Sequence, residues 1–169
     1  MTRYTTAVHE TPIGLVRLTL ADERLLALDV LHGADHAARA QLAERLGVVP
    51  DEDAGPAASV VVQLDEYFGG ERRAFDVALD LSLVRGFTRA ALEAVCDIPY
   101  GETAGYGEVA AMAGSARAAR AVGTACASTP ISIVVPVHRV VRADGSIGEY
   151  GGHPEVKEFL LDLERRAGE

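Results

Sequence analysis

The sequence predicts an α+β protein with two lobes: an N-terminal β-sheet lobe with flanking helices, and a C-terminal helical lobe of the winged-helix type, which contains a helix-turn-helix. Segments typical of strands are concentrated in the first half of the 169 residues, whereas helix-like segments fill most of the second half. Two of these helical segments flank the break at Gly114 and Ser115, a spacing typical of a helix-turn-helix. We therefore expect lobes at residues 1–85 and 86–169.

The elements of the N-terminal lobe are predicted from its apolar runs and from the glycines and prolines that end them. Three segments have the alternation or the apolar character of strands, at residues 13–20, 24–31 and 74–81. Two segments have helical spacing and end at glycine, at residues 35–46 and 57–68. The acidic stretch "PDEDAGP", residues 50–56, is expected to be a surface linker.

The C-terminal lobe is predicted to be mainly helical. Helices are expected at four segments: residues 87–97, 105–113, 116–127, and a last helix that begins at Pro154. Ser115 is a good N-cap for the third of these helices. A short buried strand is expected at residues 131–135, and Asp144-Gly145 within residues 140–148 predicts a hairpin of the kind that forms a wing.

The helix predicted at residues 116–127 has two different faces. Small apolar residues share one face, namely Ala118, Val122 and Ala125, and the opposite face carries Arg117, Arg120 and Thr124. Such a helix would present two arginines on a nearly bare backbone and could approach a nucleic acid closely. An ordinary helical corner gives the same pattern, so both interpretations remain open at this point.

Composition restricts the classes of function. The formal net charge is −9 and both halves are acidic, so any contact with a nucleic acid must depend on a local arginine patch. No apolar run reaches the length of a membrane span and no secretory signal is expected, so a cytoplasmic protein that contacts no membrane is the simplest interpretation. Cys96 and Cys126 are the two cysteines, and the five histidines lack ligand spacing, so no disulfide framework, metal site or cofactor is expected.

The stretch "IVVPVHRV", residues 133–140, brings reactive side chains to the end of an apolar run. His138 follows Pro136 and Val137, and a partner for this histidine is expected on the last helix. The core stripe of that helix is predicted to be Val156, Phe159, Leu160 and Leu163. Glu164 would then lie at the edge of the buried face and need a partner, and His138 is one. A structural hydrogen bond and a functional pair both remain open.

Several stretches together resemble the O6-alkylguanine-DNA alkyltransferases, also called methylated-DNA–protein-cysteine methyltransferases. They cover nearly the whole chain in the family's order: "TPIG" (11–14), "LDEYFGGERRAFD" (64–76), "IPYGET" (98–103), "YGEVA" (106–110), "ARAVG" (119–123), "VVPVHRVV" (134–141) and "YGGHPEVKEFLLDLE" (150–164). Proteins of this family bind duplex DNA through a helix-turn-helix in the minor groove and flip the damaged guanine into a pocket. A cysteine thiolate, formed through a water by a histidine that a glutamate orients, then takes the alkyl group irreversibly.

The resemblance implies a role for each matching residue. The DNA-contacting residues would be Arg120 as the wedge in the base stack, Tyr106 as the tyrosine that helps to rotate the nucleotide, and Arg117, Arg139 and Arg142 in a local basic patch. The lesion pocket would be lined by Val137, Tyr150, Gly151, Gly152 and Cys126. His138 and Glu164 would be the remnants of the proton relay, and the position of the nucleophile would be Val137, so that no catalytic set is intact.

Two further positions depart from the family's pattern. Thr129 stands where the family usually has asparagine, and Ala127 stands where a basic residue is common. Alkyltransferase-like proteins also lack the cysteine; they bind alkylated guanine without repairing it and flag it for excision repair. Those proteins are mostly short, whereas this chain includes the N-terminal lobe.

The predicted function is therefore that of a non-catalytic alkyltransferase homologue. It would bind duplex DNA containing O6-alkylguanine by nucleotide flipping, as a monomer, and act in damage recognition or signalling with excision-repair proteins. One alternative is a repurposed fold that binds another partner, and a second is an O6-methylguanine-DNA methyltransferase inactivated by design or decay. A third is an enzyme with a relocated nucleophile at Cys126, although a small buried apolar residue describes that side chain better.

Overall fold

The computed structural model describes residues 1–33 and 35–168, and it divides the chain into two compact units. The first unit ends at Asp80 and the second begins at Leu81. The lobe limits expected from sequence place this boundary five residues later. No helix in the described part of the chain is long and apolar enough to cross a membrane.

The first unit is built on a four-stranded sheet. Its strands are β1 (Tyr4–Thr11), β2 (Gly14–Ala21), β3 (Arg24–Val30) and β4 (Asp51–Glu52), in the order β3-β2-β1-β4. The turn between β1 and β2 is tight because Gly14 has a φ of +107°, and the Thr11 hydroxyl donates a 2.6 Å hydrogen bond to the Gly14 carbonyl. Strands β2 and β3 confirm the strands predicted at residues 13–20 and 24–31.

Strand β1 was not predicted, because its inward-facing residues are small and polar. Thr5, Thr6 and Ala7 are buried, and the Thr6 hydroxyl donates to the carbonyl of Leu18 at 3.0 Å. A threonine that finds its acceptor inside a sheet can lie in a core without the apolar alternation that marks most strands. Local sequence therefore carries little signal for this strand.

Two helices belong to the sheet unit, α1 (Asp35–Leu46) and α2 (Ala58–Phe68), and both confirm their predictions within one residue. The buried side chains of α2 include Val60, Leu64 and Tyr67 at i, i+4 and i+7, which is one helical stripe.

The strand predicted at residues 74–81 is wrong. Only Leu79 forms an isolated bridge, with Leu25 of β3. Earlier in the segment, the backbone of Asp76 forms two hydrogen bonds with the side chain of Gln63. Nε2 of Gln63 donates to the Asp76 carbonyl at 3.0 Å, and Oε1 accepts from the Asp76 N–H at 2.8 Å. The alternating exposure predicted for this segment is present, but a glutamine side chain takes the place of a neighbouring strand.

The second unit is mainly helical, as predicted. It contains α3 (Gly86–Val95), α4 (Tyr106–Met112), α5 (Ala119–Ala127) and α6 (Pro154–Ala167), with β5 (Ala104–Gly105) pairing in parallel with β6 (Val140–Val141). Helices α4 and α5 pack together across a short connection and form the predicted helix-turn-helix. The N-cap expected at Ser115 is wrong, because α5 begins at Ala119 after a turn closed by a hydrogen bond from the Ala118 N–H to the Ser115 carbonyl.

Two predictions for the segment between α5 and α6 are also wrong. Residues 131–135 form turns rather than a strand, although Ile131, Ile133 and Val135 are buried as expected. Asp144 and Gly145 do lie in a turn, closed by a hydrogen bond from the Arg142 N–H to the Ser146 carbonyl, but no hairpin forms. Strand β6 pairs in parallel with β5, and the residues that follow the turn do not form a strand.

Candidate functional site

The centre of the site is a single turn of 3₁₀ helix at Val137–Arg139. Pro136 ends the preceding apolar run, and its carbonyl accepts a 2.9 Å hydrogen bond from the Arg139 N–H, which closes the turn. Upstream, Ile133 has a φ of +68°, an unfavourable conformation for a β-branched residue. All three side chains of the turn are buried, with His138 completely enclosed and Val137 only 4% exposed.

His138 and Glu164 are paired, as the sequence predicted. His138 Nε2 lies 2.6 Å from Glu164 Oε2, and Glu164 Oε1 accepts a hydrogen bond from the Gly101 N–H at 3.1 Å. Glu164 is 1% exposed and so lies within the buried face of α6 rather than at its edge.

The buried face of α6 differs from the predicted stripe. It is centred on residues at i, i+3, i+4 and i+7: Lys157, Leu160, Leu161 and Glu164. Phe159, which was expected in the core, is 38% exposed, and Leu163 is only half-buried. The apolar residues alone suggested a different face because two of the four positions in the true stripe carry charged side chains.

Arg139 was expected to contact DNA, and the structure contradicts this expectation. Its guanidinium is buried and donates to both carboxylate oxygens of Glu164, from Nε at 2.9 Å and from Nη2 at 3.1 Å. Nη1 donates to the Ile98 carbonyl at 2.7 Å, and the guanidinium carbon lies 5.6 Å from the ring centroid of Tyr100. An arginine beside a motif histidine looks the same in sequence whether it faces solvent or a buried carboxylate.

Burial, reinforced by two neighbouring positive charges, holds His138 in its neutral form. Burial lowers the pKa of His138, because an imidazolium cannot be hydrated there. The hydrogen bond and the charge of Glu164 act in the opposite direction, whereas the positive charges of Arg139 and Lys157 lower the pKa further. The result is an uncharged ring that a carboxylate holds in one orientation.

The side chain of Tyr106, the first residue of α4, lies close to two glycines that are distant from it in sequence. Its ring carbons are 3.8 Å from where a Cβ on Gly123 would be, and its hydroxyl is 3.3 Å from the corresponding point on Gly148. Lys157 Nζ lies 5.9 Å from the centroid of the same ring and donates to the Val140 carbonyl at 2.6 Å. Burial raises the pKa of Tyr106 and lowers that of Lys157. Sequence reasoning did not identify Lys157, although its spacing from Leu160, Leu161 and Glu164 was an available signal.

Cys126 lies on α5 within electrostatic range of Tyr106, Tyr150 and Lys157. Burial raises the pKa of its thiol to about 11, and the nearby charge of Lys157 offsets this only in part. A thiol in this environment is protonated at neutral pH and is a poor nucleophile.

The predicted pocket loop follows at residues 150–152. Tyr150 is half-buried, and burial raises its pKa to about 12 despite the opposing effect of the Ser132 side chain. Gly151 and Gly152 have φ values of +56° and +81°, a region that favours glycine. Both therefore allow a backbone path that most side chains would disfavour.

The remaining arginines of the predicted DNA surface are exposed. Arg117 precedes α5, Arg120 lies in its first turn and Arg142 follows β6. Neither Arg117 nor Arg120 forms an ion pair with another residue that the structure describes. Thr129 braces the turn that leads to the site, since its hydroxyl donates to the Ile131 carbonyl at 3.2 Å and accepts from the Ile131 N–H at 3.3 Å.

No group of three histidine, cysteine or acidic side chains within the described residues could hold a metal ion.

The second unit combines a helix-turn-helix bearing exposed arginines with a buried His–Glu–Arg network. That is the class of DNA alkyltransferase-type proteins which the sequence resembles.

Comparison with known families agrees for both units. Residues 86–166 match the model of the 6-O-methylguanine DNA methyltransferase DNA binding domain, and residues 2–81 match that of the 6-O-methylguanine DNA methyltransferase ribonuclease-like domain. The chain belongs to the 6-O-methylguanine DNA methyltransferase family.

Individual relatives cover almost the whole chain. A methylated-DNA–protein-cysteine methyltransferase of Mycolicibacterium paratuberculosis is 43% identical over 93% of this chain and 90% of its own length. The crystal structure of Mycobacterium tuberculosis O6-methylguanine methyltransferase matches with a TM-score of 0.82 and 39% identity, over 99% of this chain and 94% of that one. The same TM-score and identity are found for M. tuberculosis OGT in complex with DNA, over 98% of this chain and 94% of that one.

Proposed function

We propose that the protein binds duplex DNA containing O6-alkylguanine, flips the damaged nucleotide into a pocket beside Val137 and marks the lesion without removing the alkyl group. The observation that carries this proposal is the fully assembled His138–Glu164 pair next to a residue that has no nucleophile. A valine side chain has neither a lone pair nor an acidic proton, so it cannot attack carbon. It offers the alkyl group an apolar wall instead.

The second unit has the parts that such binding requires. Exposed Arg120 lies on helix α5, exposed Arg117 lies just before it, and Tyr106 lies at the start of the neighbouring helix. An arginine at this position can replace the flipped base in the stack, as side chains of minor-groove binders do. That a relative has been crystallised with DNA supports this docking for the present chain.

The acidic composition limits how the binding can work. With a net charge of −9, attraction of the whole protein to a polyanion is unfavourable, so affinity must come from the few exposed arginines and from the flipped base. Such a protein should discriminate strongly between damaged and intact DNA, because the non-specific phosphate contribution is small. The same charge favours the alternative of a repurposed fold with another partner.

A relocated nucleophile is less well supported. Cys126 lies near Tyr106 and Tyr150, but burial keeps its thiol protonated. The protein would therefore act as a cytoplasmic monomer that presents the lesion to excision-repair proteins, rather than as a transferase.

The decisive experiment is a titration of the full-length protein with two fluorescent duplexes that differ only in O6-methylguanine at one position. Tighter binding of the damaged duplex, at an unchanged protein mass, supports damage recognition. Equal and weak binding of both duplexes overturns the proposal and favours a repurposed fold.

A disabled methyltransferase would also bind the damaged duplex, but loss of its gene would leave survival after alkylation unchanged. Loss of a damage-marking protein should sensitise cells whose excision repair is intact.

A further inference from the structure

Each of the three nitrogens of the Arg139 guanidinium donates a hydrogen bond inside the second unit. Two N–H groups reach the two oxygens of Glu164, a third reaches the Ile98 carbonyl, and the ring of Tyr100 lies beside the guanidinium. Bidentate pairing of this kind is the strongest geometry between arginine and a carboxylate. Arg139 is thus a fixed part of the interior, and its charge is directed at Glu164.

Glu164 therefore has two different partners for one negative charge. Oε1 accepts from Arg139 Nε and from the Gly101 N–H, and Oε2 accepts from Arg139 Nη2 and lies against His138 Nε2. The guanidinium keeps its proton throughout the accessible pH range and is the natural counter-ion. His138 can then meet the carboxylate as a neutral ring that donates from Nε2, which places the acceptor lone pair on Nδ1.

We propose that Arg139 is a positioning residue which serves as the permanent counter-ion of Glu164, so that this carboxylate fixes the tautomer and orientation of His138 while the ring stays uncharged. A carboxylate alone would tend to convert its histidine partner into an imidazolium, which cannot accept a proton. With the guanidinium of Arg139 as its counter-ion, Glu164 can orient the ring of His138 without drawing a second proton onto it. This inference goes beyond damage binding, since it holds whether or not the pocket takes up DNA.

The groups that face His138 define the test. Glu164 and Lys157 approach from α6, and Arg139 belongs to the same turn. Tyr100 and Cys96 also lie near Arg139, and burial raises the pKa of the Cys96 thiol to about 11, so it adds no negative charge at neutral pH. Removing the guanidinium takes away one positive neighbour and leaves the charge of Glu164 to His138. The pKa of His138 should rise.

The experiment is an NMR titration of ¹⁵N-histidine-labelled full-length protein between about pH 5.5 and 9, the range in which a histidine ring titrates. The ring of His138 is identified by its absence from a His138→Gln spectrum. In the unmodified protein we expect the neutral Nε2–H tautomer above pH 6.5. In Arg139→Met we expect an imidazolium at pH 7, and in Arg139→Met combined with Glu164→Gln we expect the neutral ring again.

Two outcomes in the single variants would overturn the proposal. One is a neutral His138 in folded Arg139→Met, as in the unmodified protein. The other is an imidazolium in Arg139→Lys, which keeps the charge but not the fork, because packing rather than charge would then be responsible. The double variant removes both charges of the Arg139–Glu164 pair together, so it remains informative where Arg139→Met unfolds: a charged His138 in it also overturns the proposal.

A rate measurement gives an independent readout. With a thiol at position 137, the variant Val137→Cys can be assayed with the free base O6-benzylguanine, which does not require DNA binding. Adding Arg139→Met should move the pH–rate profile to higher pH, because a charged His138 cannot accept the proton of the thiol. At neutral pH the rate of alkyl transfer should fall by about tenfold for each unit by which the pKa of His138 exceeds the assay pH. A rate reduced equally at every pH would indicate a merely structural role.

Discussion

His138 and Glu164 are separated by 26 positions in the chain, yet His138 Nε2 lies 2.6 Å from Glu164 Oε2 and both side chains are buried. The pairing joins the turn at Val137–Arg139 to the C-terminal part of the last helix. Its consequence is that the interior of the second unit contains an ionised group and a titratable ring whose behaviour can be measured. Stability, binding and restored chemistry should all report on this pair.

The stability of the protein should decrease as the pH falls below about 6.5. Burial lowers the pKa of His138 in the folded state, so between its unfolded value near 6.5 and the lower folded value the unfolded chain binds an extra proton. The contribution is complete above pH 6.5 and is lost progressively as the pH falls, at up to about 1.4 kcal/mol per pH unit. Urea unfolding at pH 7.5 and 5.5 measures it.

The comparison needs two variants of that titration. His138→Gln should have a shallower pH dependence than the unmodified protein. His153→Gln, which removes a partly exposed histidine that pairs with Glu155, is the matched control for the loss of a histidine. Identical slopes for His138→Gln and the unmodified protein would show that the buried ring does not control acid stability.

Removing the carboxylate should be far more damaging than removing an exposed one. Glu164→Ala leaves the buried guanidinium of Arg139 without its counter-ion, and we expect a loss of about 3–5 kcal/mol in the free energy of unfolding. Glu158→Ala, on the exposed side of the same helix, should cost less than about 0.5 kcal/mol. Denaturant midpoints of the two variants decide the matter, and similar losses would contradict the buried-pair description.

Incubation with O6-methylguanine DNA should leave the mass of the protein unchanged. Val137 cannot accept a methyl group, and the Cys126 thiol, whose pKa burial raises to about 11, is almost fully protonated at neutral pH. Intact-protein mass spectrometry after a long incubation is the measurement. A stoichiometric methyl adduct that digestion locates at Cys126 would instead indicate a relocated nucleophile.

Binding of alkylated duplex should depend on Arg120 more than on other exposed arginines. As the wedge in the base stack, Arg120→Ala should weaken binding by about 1–3 kcal/mol, whereas Arg166→Ala, near the end of α6, should have little effect. The salt dependence should be shallow, with a slope no steeper than about −3, because only about three exposed arginines can face phosphates. Equal affinities for both variants and the unmodified protein would exclude this docking mode.

Sequence reasoning succeeded where the signal is local. The helix-turn-helix, the last helix and the strands β2 and β3 follow from apolar spacing and from the glycine and proline positions that bound the segments. The partner of Glu164 was also predictable, because even a carboxylate at the edge of a buried helical face needs a partner and His138 follows an apolar run.

It failed where a tertiary partner decides the structure. Residues 74–81 alternate as a strand does, but the Gln63 side chain pairs with the backbone of Asp76. Arg139 was assigned to DNA because nothing in the neighbouring sequence indicates its true partner. That partner is Glu164, 25 positions away, which binds both His138 and Arg139. Long-range pairing of this kind has no local pattern from which it could be read.

Val137→Cys should restore at least weak alkyl transfer. The thiol would lie beside a neutral His138 that can accept its proton, and Glu164 already holds that ring in place. Cysteine is smaller than valine and similar in shape, so the substitution should strain the buried turn little. The expected product is a thioether at position 137, detected by mass spectrometry of the intact protein and located by digestion.

Two controls separate the possible causes of failure. The free base O6-benzylguanine should be tested beside alkylated duplex, since transfer from the free base alone would mean that the site is competent and DNA binding is weak. Val137→Cys combined with His138→Gln should be much slower, because the thiol then has no base.

A folded Val137→Cys protein that stays unmodified with both substrates would mean that the pocket lacks more than a nucleophile. Small displacements are costly in such a site, and Thr129, which braces the preceding turn through Ile131, would be the first position to examine. In that case a repurposed fold with another partner would become the better account of the protein.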